Sequence, residues 1–164
     1  MSQKPASGSS KSSVPIELPP KQRIEAAVER YGHFEVVDRA LSIMEGNNEG
    51  EDFLLYVGGD HAQGILDGAP VLYWPELWGV RALLHAWDEQ ATPAMIRALG
   101  NPAWRVREMA ARVVAQHGLP ARAELLDLLG DDTPRVRIAA ARALGAVGTL
   151  DDVESIVVQL KDSE

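Results

Sequence analysis

The sequence predicts an all-α fold, a short α-solenoid of stacked helix pairs, on three observations. Residues 94–118 (AMIRALGNPAWRVREMAARVVAQHG) and 124–148 (ELLDLLGDDTPRVRIAAARALGAVG) align without a gap at an offset of 30 residues. Leu99/Leu129, Gly100/Gly130, Arg105/Arg135, Val106/Val136, Arg107/Arg137, Ala110/Ala140, Ala111/Ala141, Arg112/Arg142 and Gly118/Gly148 are identical pairs. A repeat of this length is one supersecondary unit that buries its apolar face on the next unit. Apolar residues also recur at helical spacing between Gly and Pro punctuation. Hydrophobic residues make up 46% of the chain, enough for a packed core, whereas aromatics are only 5% and alanine is abundant, which suits close helix contacts.

The elements follow in order. Residues 1–20 (MSQKPASGSSKSSVPIELPP) are rich in Ser, Pro and Lys and too poor in apolar residues to offset their ordering entropy. They are expected to be a disordered leader to a helical domain spanning 21–164. Its first part, 21–73, holds divergent helices. Ile24, Ala27, Val28 and Tyr31 mark one face and Gly32 ends it; Phe34, Val37, Ala40, Leu41 and Met44 mark a second helix, closed by Gly46-Asn47-Asn48. Phe53, Leu54 and Val57 suggest a short third helix stopped by Gly58-Gly59, with Asp60 as N-cap of a fourth over 61–66. Residues 74–89 read as one helix, with Leu77, Val80, Leu84 and Trp87 on a stripe. Its VRALLHAW segment aligns with VREMAARV, which makes it the second helix of a degenerate repeat. The clear repeats occupy 92–118 and 121–148. Thr92 and Thr133 stand as caps, each followed by Pro at the first helical position. Residues 149–164, opened by Thr149, form a terminal capping helix.

Composition excludes several functions. With no cysteine, a disulfide framework, thiolate catalysis and Cys-based zinc or iron–sulfur sites are ruled out, and a reducing cytoplasm fits. There is no secretory h-region and no run of about 18 apolar residues to span a membrane. The net charge of −8 argues against a general nucleic-acid binder. Yet residues 81–145 carry nine Arg, no Lys and seven acids, so the repeat core is mildly basic between two acidic flanks.

The run DDTPRVRIAAARALGAVG resembles the second half of a HEAT repeat of the phycobilin-lyase-like subtype, and NPAWRVREMAARVVAQHG resembles it with Trp104 in place of the usual Pro. The upstream block around YVGGDHAQGILDG is similar to HEAT proteins of high-GC bacteria. The resemblance implies an armadillo-type superhelix whose second helices line a concave face. It also implies a ladder in which the Asp of the inter-helix turn pairs with the Arg six residues later: Asp131 with Arg137, and Asn101 with Arg107 as a neutral variant. Arg81 faces Pro75 at that spacing and has no such partner.

Rotating the second helix by about 100° per residue puts Val106, Met109, Ala110, Val113 and His117 on the buried face and Arg105 and Arg112 beyond one edge. These two are roughly 10 Å apart along the helix, and Arg135 and Arg142 take the same places on a helix about 8–10 Å away. Four guanidinium groups in a grid suit bidentate capture of carboxylate or phosphate. The plainer reading is a solvated edge with local pairs such as Arg105 with Glu108. A secondary candidate face is Trp78, Arg81, His85 and Asp88, where Asp88 could support His85 as a base; no nucleophile or second acid lies near it. Gly58-Gly59 before Asp60 is read as a turn rather than a phosphate cradle, because the spacing fits no phosphate loop. The four histidines show no metal-binding spacing. No catalytic residues, metal or cofactor are therefore expected. The expected function is non-enzymatic: a scaffold that binds an acidic segment of a protein partner on its Arg-lined face. Nucleic-acid binding and an accessory, lyase-like subunit are the alternatives, and the oligomeric state is left open.

Overall fold

The computed structural model describes residues 14–149 and 152–161. Helices α1 (Pro20–Tyr31), α2 (His33–Met44), α3 (Glu51–Gly58), α4 (Asp60–Leu66) and α5 (Trp74–Ala82) make up the first half. A 3-10 turn (Glu89–Ala91) leads to α6 (Thr92–Ala98), α7 (Trp104–His117), α8 (Arg122–Leu128), α9 (Pro134–Val147) and α10 (Asp152–Lys161). The fold is all-α, a short solenoid of HEAT-like helix pairs. Helices α2, α5, α7 and α9 pack in one row, each on the next, while α6 flanks α7 and α8 and α10 flank α9. A single apolar core runs the length of the row, from Val36, Val37 and Ile43 through Phe53, Trp78 and Leu83 to Val106, Val113, Val136 and Leu144.

The repeat helices show why the pattern folds this way. On α7 the buried residues are Val106, Ala110, Ala111, Val113 and Val114; on α9 they are Val136, Ala139, Ala140, Ala143 and Leu144. Alanines make up much of both buried faces, and small side chains on packed helices permit close approach of their axes. The partner helices α6 and α8 bury Met95 and Ala98, and Leu125 and Leu128, against them.

Several expectations are corrected. The part of the leader over 1–13 lies outside the described residues, but residues 14–19 are ordered: Val14 is buried and the Leu18 carbonyl accepts a bond from Arg23. Phe34 is 67% exposed rather than inward. Val36, 200° further round the helix, is fully buried and turns the α2 stripe away from it. Asp60 is the first residue of α4 and makes no cap bond; Thr92 likewise makes no cap bond and lies inside α6. Thr133 is the N-cap of α9 by position, yet its side chain makes no cap bond. Thr149 joins Asp152 in a reciprocal cap, its carbonyl accepting from the Asp152 amide and its own amide donating to Asp152 Oδ2.

The expected helix over 74–89 stops at Ala82. Carbonyls beyond that point accept from side chains of neighbouring helices. Leu83 O accepts from His117 Nε2 (2.8 Å), Leu84 O from Gln116 Nε2, and Trp87 O from His33 Nε2 (2.7 Å). The Trp87 ring stacks on His117 at 4.3 Å. In the row, α5 stands beside α7 as α7 stands beside α9.

Gly79 sits where α5 crosses α2. A methyl group there would lie 2.7 Å from the Ala40 carbonyl oxygen and 2.7 Å from Met44 Cγ. Backbone cannot yield as a side-chain tip can, so Gly79→Ala is expected to destabilise the protein by about 1–3 kcal/mol. The midpoint of chemical denaturation measures this, and an unchanged midpoint would show that the helices part easily at the crossing.

Candidate functional site

The rotation that buries Val106 and Ala110 on α7 and Val136 and Ala140 on α9 leaves Arg112, Arg135 and Arg142 on the surface of the row. These three line one cleft of about 620 Å³ together with Glu108, Ile138 and Leu84, the last from the turn after α5. Among the described residues, none of the three makes a hydrogen bond or an ion pair. Ile138 is 45% exposed between them. The cleft therefore offers cationic forks around an apolar contact, with Glu108 as its one acid among the described residues.

Arg105 does not join them. Its guanidinium lies 4.4 Å from the centre of the Trp104 ring and 5.8 Å from that of Trp74, and Nη1 donates to the Tyr73 hydroxyl at 3.0 Å. Cation–π attraction and that bond hold it at the junction of α5 and α7. The pairing of Arg105 with Glu108 is not formed either. The sequence signals for this capture are Trp104, next to Arg105 in the chain, and the aromatic pair Tyr73-Trp74, with Tyr73 32 residues upstream.

The secondary face is not a face. Trp78 is 1% exposed and packs in the core, with the His61 ring against it at 5.6 Å. Arg81 Nη2 donates to the Val57 carbonyl at 2.8 Å. Burial, reinforced by the nearby Arg23 and Arg112, pushes the Arg81 pKa down to about 10. His85 lies beyond the end of α5; partial desolvation and then the Arg81 cation hold its pKa below the ordinary histidine value. Asp88 is spent on the 3-10 turn, accepting from the Gln90 amide at 3.0 Å. No acid–base pair forms between His85 and Asp88, because the helix that would align them has ended. At Gly59, where φ is +59°, the Arg23 guanidinium and the Ile16 carbonyl lie against the backbone.

The turn ladder links units instead of closing within them. In both repeats the turn side chain accepts from the amide two residues on: Asn101 Oδ1 from Ala103 and Asp131 Oδ1 from Thr133, each at 2.9 Å. In both, the Arg six residues later donates to the turn's backbone carbonyl: Arg107 to Asn101 O at 2.8 Å and Arg137 to Asp131 O at 2.7 Å. The turn side chains then reach back one unit. The Asp131 carboxylate receives Arg107 Nε at 2.8 Å and Nη2 at 3.1 Å, a bidentate pair, and Asn101 Nδ2 donates to Glu76 Oε2 at 2.8 Å. The expected pairings Asp131 with Arg137 and Asn101 with Arg107 are thus corrected to backbone contacts. Arg81, without a turn partner, does not leave α5 loose. The bonds from Asn101, Arg105, Gln116 and His117 tie it to α7.

Burial alone would raise the Asp131 pKa; the bonds from Arg107 and the Thr133 amide outweigh it and leave the carboxyl below its ordinary value. A folded-state pKa below the unfolded one gives stability that is complete above the unfolded pKa of about 3.9 and is lost as pH falls through the folded value. Asp131→Asn is expected to cost about 1–3 kcal/mol near neutral pH. The gap between wild type and variant should close as pH drops from about 5 toward 2. Urea denaturation across that range reads both; a gap independent of pH would dismiss the ionic contribution.

Among the described residues, no three His, Asp or Glu side chains are grouped to hold a metal ion, and no helix is long and apolar enough to cross a membrane. No curated protein and no solved structure matches the chain. Residues 92–164 match the family model of HEAT repeats, the stretch that holds the helix pairs α6–α7 and α8–α9 and the following α10. The match and the all-helical row of packed pairs together support a HEAT-repeat protein, with the family pattern carried by this C-terminal stretch.

Proposed function

We propose that the chain is a non-catalytic interaction scaffold whose cleft between α7 and α9 holds an acidic, partly apolar segment of a partner protein. The observation that carries this reading is the set of three arginines, Arg112, Arg135 and Arg142, which make no hydrogen bond or ion pair among the described residues and surround the exposed Ile138. Each guanidinium offers two parallel donors to a carboxylate, and Ile138 offers the apolar contact that a bare polyanion does not use. Arg105, expected as the fourth member, is left out because its fork is engaged at the aromatic junction. A HEAT-repeat stack commonly serves as a protein-interaction scaffold, which supports the same reading.

The acidic balance of the whole chain and Glu108 inside the cleft weigh against nucleic acid as the occupant. The likeness of 131–148 to the phycobilin-lyase-like subtype extends to the scaffold and does not bring lyase chemistry with it. A chain without cysteine needs no oxidising compartment, which fits a cytoplasmic scaffold.

The test is titration of a labelled peptide that carries Leu flanked by Asp and Glu. Arg135→Glu combined with Arg142→Glu should weaken binding by about tenfold or more, as expected of central charged anchors. Arg105→Ala should leave binding within about twofold, because that side chain is not in the cleft. Equal affinity of wild type and double variant would refute the cleft reading. Preferential, steeply salt-dependent binding of duplex DNA would replace it with a nucleic-acid function.

A further inference from the structure

A second surface, in the other half of the molecule, has the opposite character. The end of α2, the loop over 45–50, α3, α4 and the loop over 67–73 enclose an open groove of about 470 Å³. That volume is within the roughly 300–1,000 Å³ usual for binding pockets. Leu54, Ile65, Leu66, Val71 and Leu72 supply its apolar lining. Leu72 is 71% exposed and Val71 51%, so two adjacent aliphatic side chains stand in solvent at the groove mouth. Leu72 is also the one non-glycine described residue with positive φ, at 47°, in the left-handed region that aliphatic residues avoid. An apolar side chain held out by unfavourable backbone gains nothing in the isolated chain.

The rim decides the occupant. Glu49, Glu51 and Glu76 border the groove, and among the described residues no Lys, Arg or His lines it. The Glu76 carboxylate is held by Asn101, and that of Glu49 by the Ser42 hydroxyl, so two of the three are fixed in place. Arg39, beside the rim, turns to Glu35 and to the Glu49 carbonyl. We infer that this groove docks a basic amphipathic helix of a partner protein, with its apolar stripe on Leu54, Leu66, Val71 and Leu72 and its lysines or arginines over the three glutamates. Apolar anchors at i, i+3, i+4 and i+7 with flanking cations match an apolar floor between carboxylates. The acidic rim repels the headgroups of an anionic lipid surface. The groove shares no residue with the arginine cleft, so this inference does not rest on the function proposed above.

The experiment uses the full chain and a fluorescein-labelled peptide of about 18 residues, five helical turns, with Leu on one stripe and Lys elsewhere. A scrambled peptide of equal charge is the control. Anisotropy should show saturable binding, weaker by about tenfold for the scrambled peptide. Val71→Asp combined with Leu72→Asp should weaken it by about tenfold and Glu51→Lys by about threefold. These residues are exposed, and far-UV circular dichroism confirms that the fold is kept. Arg135→Glu with Arg142→Glu should leave it within about twofold. The inference is overturned if the scrambled peptide binds equally or if the groove variants bind as wild type. It is also overturned if the peptide fails to displace a wild-type dimer that Leu72→Asp abolishes, which would make a second copy the occupant. Binding of the groove to neutral phospholipid vesicles in preference to the peptide would likewise replace the helix with a membrane.

Discussion

The architecture depends on one packing constraint: α7 and α9 form the most extensive helix contact in the row, and their buried faces are mostly alanine and valine, with Ala110, Ala111, Val113 and Val114 on one helix and Ala139, Ala140 and Ala143 on the other. Helices that approach through small side chains have little freedom to rotate about their axes without forcing larger groups into the contact. That lock fixes which residues are pushed to the edges. It presents Arg112, Arg135 and Arg142 in one cleft, and it brings the turn at Asp131 within reach of Arg107 from the preceding unit. The surface chemistry is thus a by-product of the core register, and the same letters in both repeats carry both.

The polar links serve the same register. Arg107 spreads its donors over the Asp131 carboxylate and the Asn101 and Pro102 carbonyls, so a single side chain joins the turn of its own unit to the turn of the next. Toward the N-terminus, where the family pattern fades, the junction between α5 and α7 is built differently. Side chains of α7 grip the backbone where α5 ends, and Trp87 stacks on His117. Irregular chemistry there does the work that the repeated arginine and aspartate do further on. Toward the C-terminus the pattern continues in a changed form, with Arg122 of α8 donating from Nε to Asp152 of α10 at 3.0 Å.

The helices were legible in the sequence because Gly and Pro mark their ends and because the 30-residue repeat supplies two copies of the same evidence. Three of the four grid arginines follow from helical rotation alone. The fourth does not, since Arg105 is held by its neighbour Trp104 and by Tyr73 and Trp74, the latter two far away in the chain, where periodicity cannot place them beside it. The ladder was misread for a related reason. A spacing of six residues suggests closure within a unit, whereas stacking sets Asp131 opposite the Arg 24 residues earlier. The early stop of α5 is not visible in the pattern, because the side chains that bond to the carbonyls beyond it, His33, Gln116 and His117, belong to other helices. The apolar groove was missed because Val71 and Leu72 lie in a loop, where no helical stripe draws attention to them.

The capture of Arg105 gives the molecule an internal optical gauge. Trp74 belongs to α5 and Trp104 to α7, and one guanidinium bridges their rings at the seam between the two helices. Indole emission responds to the distance and orientation of a neighbouring cation. A change in the angle between α5 and α7 therefore falls on a pair of native fluorophores that straddle the joint. Flexing at this seam is accordingly open to observation in the unlabelled protein without an added reporter.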